Sequence, residues 1–84
     1  MSIFQKVINH KINHLTTDEL LKYANQFQIS ISRKEASQVT GFLKGKKVDI
    51  FNDSERARLI KALERITNPQ TAKEVDRLLS SFTK

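Results

Sequence analysis

Apolar residues never run beyond two in a row anywhere in this chain. The pairs Ile3-Phe4, Val7-Ile8, Leu20-Leu21, Phe42-Leu43, Leu59-Ile60 and Leu78-Leu79 recur across polar gaps of helical length. A half-buried strand alternates with period two, whereas pairs spaced this way lay narrow apolar stripes along helices. The pattern predicts a mainly α fold, a compact bundle of about five short helices. It also excludes the continuous apolar core of a signal peptide or a membrane span, so no membrane partner is expected and a cytoplasmic location follows by default. At 84 residues the chain reads as one helical domain, 1–84, with a modest core and no cleft between domains. Without cysteine, stability must rest on apolar burial.

Local signals mark most helix starts. Ser32 and Glu35 form a capping box, with Ile31 before the cap and Ala36 four positions inside, where a hydrophobic staple belongs. Thr16 and Glu19 repeat the box, and Asp18 adds negative charge at the positive end of the helix dipole. Asn52 or Asp53 caps a fourth helix. Asn68-Pro69 opens a fifth, because proline at the first helical position loses only an N–H that would be unpaired anyway. The expected helices span about 2–13, 17–27, 33–44 and 69–81, with the fourth running from its cap at Asn52 or Asp53 toward the break at Thr67-Asn68-Pro69. Gly45 is expected to end the third in the left-handed conformation, and Gly41 to weaken it by about 1 kcal/mol relative to alanine.

Each helix then has a predicted buried stripe: Phe4, Val7, Ile8 and Ile12; Leu20, Tyr23, Ala24 and Phe27; Ala36, Val39, Phe42 and Leu43; Leu59, Ile60, Leu63 and Ile66; Ala72, Val75, Leu78, Leu79 and Phe82. Residues 29–31 and 48–50 alternate as strands do, which allows at most a minimal two-stranded contact between them.

The residues that carry chemistry do not assemble into a catalytic motif. His10 and His14 share a helical face, but Lys11 stands where a zinc protease has its glutamate, and no Cys, Asp or Glu lies in the segment to complete a ligand shell. Ile31 with Glu35, and Phe51 with Glu55, match the end of a calcium loop, yet Ala24, Gln26 and Gln28, or Lys44, Lys46 and Val48, would fill the ligand positions. A helix-turn-helix made of the second and third helices would place Arg33, Lys34, Ser37 and Gln38 for groove contacts, but residues 28–32 lack the tight glycine turn. Asp18, Glu19, Glu35, Asp53, Glu55 and Glu74 all lie in or near first turns, where capping and dipole compensation account for them. No nucleophile elbow or phosphate-binding glycine loop is present. The expectation is a non-catalytic protein with no cofactor and no metal.

Charge supplies the functional direction. Fifteen Lys and Arg against nine Asp and Glu give a formal +6, which favours nucleic acid or an acidic protein as partner. Lys44, Lys46 and Lys47 are the densest cations, and Arg58, Lys61 and Arg65 repeat at helical spacing on the face opposite the fourth apolar stripe. These six are the candidate phosphate contacts, against the alternative of an ordinary solvated face partly neutralised by Glu64. The competing expectation is a protein-interaction or assembly module, a homodimer joined through the fifth-helix stripe and the first, because five apolar stripes exceed what so short a chain readily buries.

The segments Ile3-Phe4-Gln5-Lys6, Leu20-Leu21-Lys22-Tyr23-Ala24, Ile29-Ser30-Ile31-Ser32-Arg33-Lys34, Phe42-Leu43-Lys44-Gly45-Lys46 and Thr71-Ala72-Lys73-Glu74-Val75 resemble the short YqfT-like proteins of Bacillus-type Gram-positive bacteria. The resemblance spans nearly the full length. It implies a bacterial cytosolic origin and a self-contained domain of unknown function, with no assigned active site to carry over.

Overall fold

Five helices form where the caps and stripes put them: α1 (Ile3–Asn13), α2 (Thr17–Gln26), α3 (Arg33–Lys46), α4 (Asp53–Ile66) and α5 (Pro69–Thr83). The computed structural model describes residues 2–83, without the side chains of residues 82 and 83. Both capping boxes close reciprocally. Thr16 Oγ1 accepts from the Glu19 N–H at 3.1 Å while Glu19 Oε1 accepts from the Thr16 N–H at 3.0 Å, and Ser32 and Glu35 repeat this at 3.1 and 2.9 Å. Ser2, Asn52 and Asn68 cap α1, α4 and α5 through side-chain oxygens. Lys11 reaches from α1 to Glu19 at 2.9 Å, and that contact, with the Thr16 N–H, holds the Glu19 carboxyl down at about 2.

The helix ends depart from expectation. Gly45 lies inside α3, and the left-handed residue is Lys47, with φ 51° and ψ 62°, whose N–H donates to the Leu43 carbonyl at 2.8 Å. Alpha-2 also ends without glycine: Gln28 takes φ 58°, Ile29 N–H donates to the Ala24 carbonyl at 2.8 Å and Gln28 N–H to Asn25 at 3.2 Å. That is a Schellman motif on a residue that bears the steric cost of a Cβ. Both exceptions follow from what comes next in the chain, since Ile29 and Val48 are drawn inward immediately after the turn.

No strand forms among the described residues, and residues 29–31 do not pair with 48–50. The segment 48–52 instead has its backbone satisfied by side chains. Asn13 Nδ2 donates to the Val48 carbonyl and Asn13 Oδ1 accepts from the Val48 N–H, both at 2.9 Å. One turn earlier, Asn9 Oδ1 accepts from the Ile50 N–H at 3.0 Å and its amide donates to Asp49 Oδ1 at 2.8 Å. Glu55 accepts from the Asp49 N–H at 3.0 Å, and Asp49 itself accepts from the N–H groups of Phe51 and Asn52. Two asparagines at i and i+4 thus take the place of a neighbouring strand. With its polar groups answered, the segment sinks Val48 and Ile50 into the centre, and Ile50 is 0% exposed.

Around Ile50 the core joins Val39 and Leu43 of α3, Leu59 and Leu63 of α4, and Ala72 and Leu79 of α5. Alpha-5 lies along α4, while α1 and α2 lie against α3. The α1 and α2 stripes are only partly spent. Ile8, Ile12 and Leu20 pack inward, but Phe4, Val7, Tyr23 and Phe27, expected in the core, stay exposed, because no helix lies across them. The Phe82 side chain, expected on the α5 stripe, lies outside the described residues.

Two stability measurements check this account. Asn13→Ala leaves a buried N–H and carbonyl of Val48 without partners, so chemical denaturation should show a loss of about 2–4 kcal/mol. Gly45→Ala should raise stability by about 0.5 kcal/mol, since a Cβ there meets nothing within 4 Å and the residue is helical. A left-handed Gly45 would give the opposite sign.

Candidate nucleic-acid interface

The α3–α4 pair presents two faces. On α3, Val39 and Leu43 form the inward line, and Phe42 and Lys46, also four apart, form a line beside it. On α4, Leu59, Ala62 and Leu63 are buried, and Arg58, Lys61 and Arg65 follow the adjacent face at spacings of three and four. Because α3 packs on α4, these outer lines meet. Phe42, Lys46, Arg58, Lys61, Glu64 and Arg65 bound one open depression of about 480 Å³.

Of the six cations expected to contact phosphate, the structure therefore brings together four: Lys46, Arg58, Lys61 and Arg65. Lys44 and Lys47 are exposed nearby in the chain but do not line the depression. Lys44 is two residues from Lys46 and so turns to another side of α3, and Lys47 leaves the helix in its left-handed conformation. Among the described residues the four lining cations make no ion pair. Glu64 is the single carboxylate in the lining.

Phe42 was expected wholly inward. It does touch the core cluster, but it is only half-buried and also bounds the depression, so an aromatic ring stands among the cations. Spacing did not announce this: Phe42 is three residues from Val39 and four from Lys46, so it stands at the edge of the core line and is shared between the two faces. Arg33, chemically suited to groove contacts, is drawn back to Asp18 at 2.8 Å, and residues 27–32 separate α2 from α3, too many for the tight turn of a helix-turn-helix.

The other chemistry-bearing side chains have local partners. The His10 and His14 rings stack with centroids 4.1 Å apart, and His14 Nδ1 donates to the His10 carbonyl at 2.8 Å. Glu35 and Glu55 serve backbone N–H groups. No group of three or more His, Cys, Asp and Glu that could hold a metal ion occurs among the described residues. None of the described helices is long and apolar enough to cross a membrane.

A second concavity lies on the opposite face of the α3–α4 pair. It is an apolar cleft of about 380 Å³ between α1–α2 and α5, floored by Val39, Leu43, Leu59 and Leu63, and it shares no lining residue with the cationic depression. Val75 and Leu78 of α5 face it, so most of the α5 stripe is spent inside the molecule. Among the described residues the large apolar side chains left exposed are on α1 and at the end of α2: Ile3 is 81% exposed, Phe4 61%, Val7 59% and Phe27, the residue after α2, 50%.

The family model for a protein of unknown function, DUF2624, matches residues 1–83. The chain is 47% identical over 83 residues to the uncharacterized protein YqfT of Bacillus subtilis (strain 168), covering 99% of each chain. No solved structure matches it. With a match along almost its whole length and a bacterial relative at that identity, the chain belongs to the DUF2624 family.

Proposed function

We propose that this chain is a non-catalytic nucleic-acid-binding protein of the cytoplasm that holds phosphates on the α3–α4 depression. One observation carries the reading: Lys46, Arg58, Lys61 and Arg65 come from two helices to one concave surface, with no ion pair among them and only Glu64 opposing. Four cations against one carboxylate on a single surface repel one another, and an external polyanion relieves that repulsion. A non-catalytic role suits the histidines, which stack on each other, and the carboxylates, which cap helices. The absence of cysteine suits a reducing interior.

Phosphate binding by four cations has a definite salt signature. Each neutralised phosphate releases counterions, so the log–log slope against salt should be about −3, a loss of about 50-fold between 50 and 200 mM. Fluorescence anisotropy with labelled oligonucleotides measures it. The triple change Lys46→Gln, Arg58→Gln and Lys61→Gln should flatten the slope toward −1, and Glu64→Gln should tighten binding by roughly two- to fivefold at low salt. Binding indifferent to salt, or undiminished in the triple variant, would sink the reading.

A second reading rests on the other face. Ile3, Phe4 and Val7 form an exposed apolar stripe on α1, and Tyr23 and Phe27 border both the surface and the apolar cleft. Exposed apolar side chains of this kind mark a protein contact, and we propose a homodimer joined through α1 and α2, with Val75, Leu78 and Leu79 of α5 spent within each protomer. Sedimentation equilibrium should then show a dimer that Phe4→Lys with Val7→Lys converts to monomer. A monomer at every concentration would remove this reading and leave the cationic one untouched.

A further inference from the structure

Phe42 gives the cationic depression something that phosphate binding alone does not use. A surface that only attracts phosphates needs cations at its rim, and an apolar floor there gains nothing from them. Here an aromatic side chain shares the lining with the cations: Lys46 one helical turn along α3, and Arg58, Lys61 and Arg65 along α4. A nucleotide has this same division, a flat apolar base joined to an anionic phosphate. Side chains four apart on a helix have Cβ atoms about 5–6 Å from each other. A base on Phe42 therefore leaves its phosphate within reach of Lys46. From Arg58 to Arg65 the α4 backbone rises about 10 Å, which carries the cationic line past one nucleotide to the next.

A duplex cannot use this arrangement. Its base faces are hidden in the stack, and it would offer the depression only the outer edge of its backbone. We infer that the site selects single-stranded nucleic acid, with an unstacked base lying on Phe42 and the flanking phosphates on Lys46, Arg58, Lys61 and Arg65. Selection by stacking is tolerant of base identity, since every base presents a π-face, and its salt dependence is shallower than for duplex, because single strands release fewer counterions per phosphate. This inference rests on the phosphate-binding reading above and adds to it the form of nucleic acid and the residue that reads it.

The test uses the intact chain and three probes of equal length: a single-stranded oligonucleotide, the matching duplex, and a single strand with abasic sites at its central positions. The abasic strand keeps every phosphate and removes only the stacking partner. The expected order is single strand tightest, with the abasic strand and the duplex each weaker by about tenfold at the same salt. Phe42→Leu, checked for folding by its thermal melt, should bring the single strand down to the abasic level, and Phe42→Tyr should restore it. Equal binding of all three probes, abolished by the Lys46, Arg58 and Lys61 triple change, would overturn the stacking role and leave the phosphate site standing. No binding of any probe at low salt would overturn both.

Discussion

The bidentate contact between the Asn13 amide and the Val48 peptide unit is the constraint on which this structure turns. An apolar connection can enter a protein interior only if its N–H and carbonyl groups find partners. The chain 48–52 has no strand beside it, so α1 supplies Asn9 and Asn13 and α4 supplies Glu55. Once those polar groups are met, Ile50 can stand at the centre with no exposed surface. The consequences reach three helices. Alpha-1 is tied to the body by this contact together with Asn9, Ile8 and Ile12, α3 ends in a left-handed turn at Lys47, and α4 starts where Asn52 and Glu55 are. Arg56 tightens the same joint from outside, donating to the Ile50 carbonyl at 3.3 Å and pairing with Asp53.

This joint also explains why the α3–α4 pair is two-sided. A buried connection holds the end of α3 against the start of α4, and where the two helices pack they have the core on one side and solvent on the other. The core side receives Val39, Leu43, Leu59 and Leu63. The solvent side receives whatever the sequence puts one residue off that register, and in this chain it receives Phe42 with four cations. The cationic surface is in this sense carried by the Asn13 clamp, though no residue of the clamp lines it.

What could be read beforehand divides along the range of each interaction. Capping by Thr16, Ser32, Asn52 and Asn68 spans three residues, so spacing alone revealed it, and the five helices with it. Periodicity revealed the stripes but not their fate. Phe4 and Val7 have the spacing of core residues and remain exposed because burial needs a second surface, which a stripe cannot announce. Gly45 looked like a helix stop since glycine bears a left-handed turn most cheaply, but the turn's position was set thirty-odd residues away, at Asn13, and it fell on Lys47. The asparagines carried a faint signal: two amide side chains at i and i+4, beside the inward-facing Ile8 and Ile12, offer paired donors and acceptors to a neighbouring segment. Of the six cations, Arg58, Lys61 and Arg65 were legible as one line from their spacing on α4, whereas the addition of Lys46 and not Lys44 or Lys47 depended on how α3 packs on α4, which spacing cannot announce.

The net charge gains a different meaning once its distribution is known. The acidic residues are placed for local duty: Glu19 and Asp18 join α2 to Lys11 and Arg33, and Asp53 and Asp76 hold Arg56. Three of these pairs neutralise cations between helices, and Asp53 does so for Arg56 within α4. The α3–α4 depression has four cations and one carboxylate, an excess of three in a chain whose whole excess is six. Charge spread evenly over a surface is screened within about 8–10 Å at physiological salt and attracts weakly. Charge gathered in one depression acts within that distance on the same ligand. The positive excess legible in composition is thereby gathered by the fold into one local field, with Phe42 in the same lining.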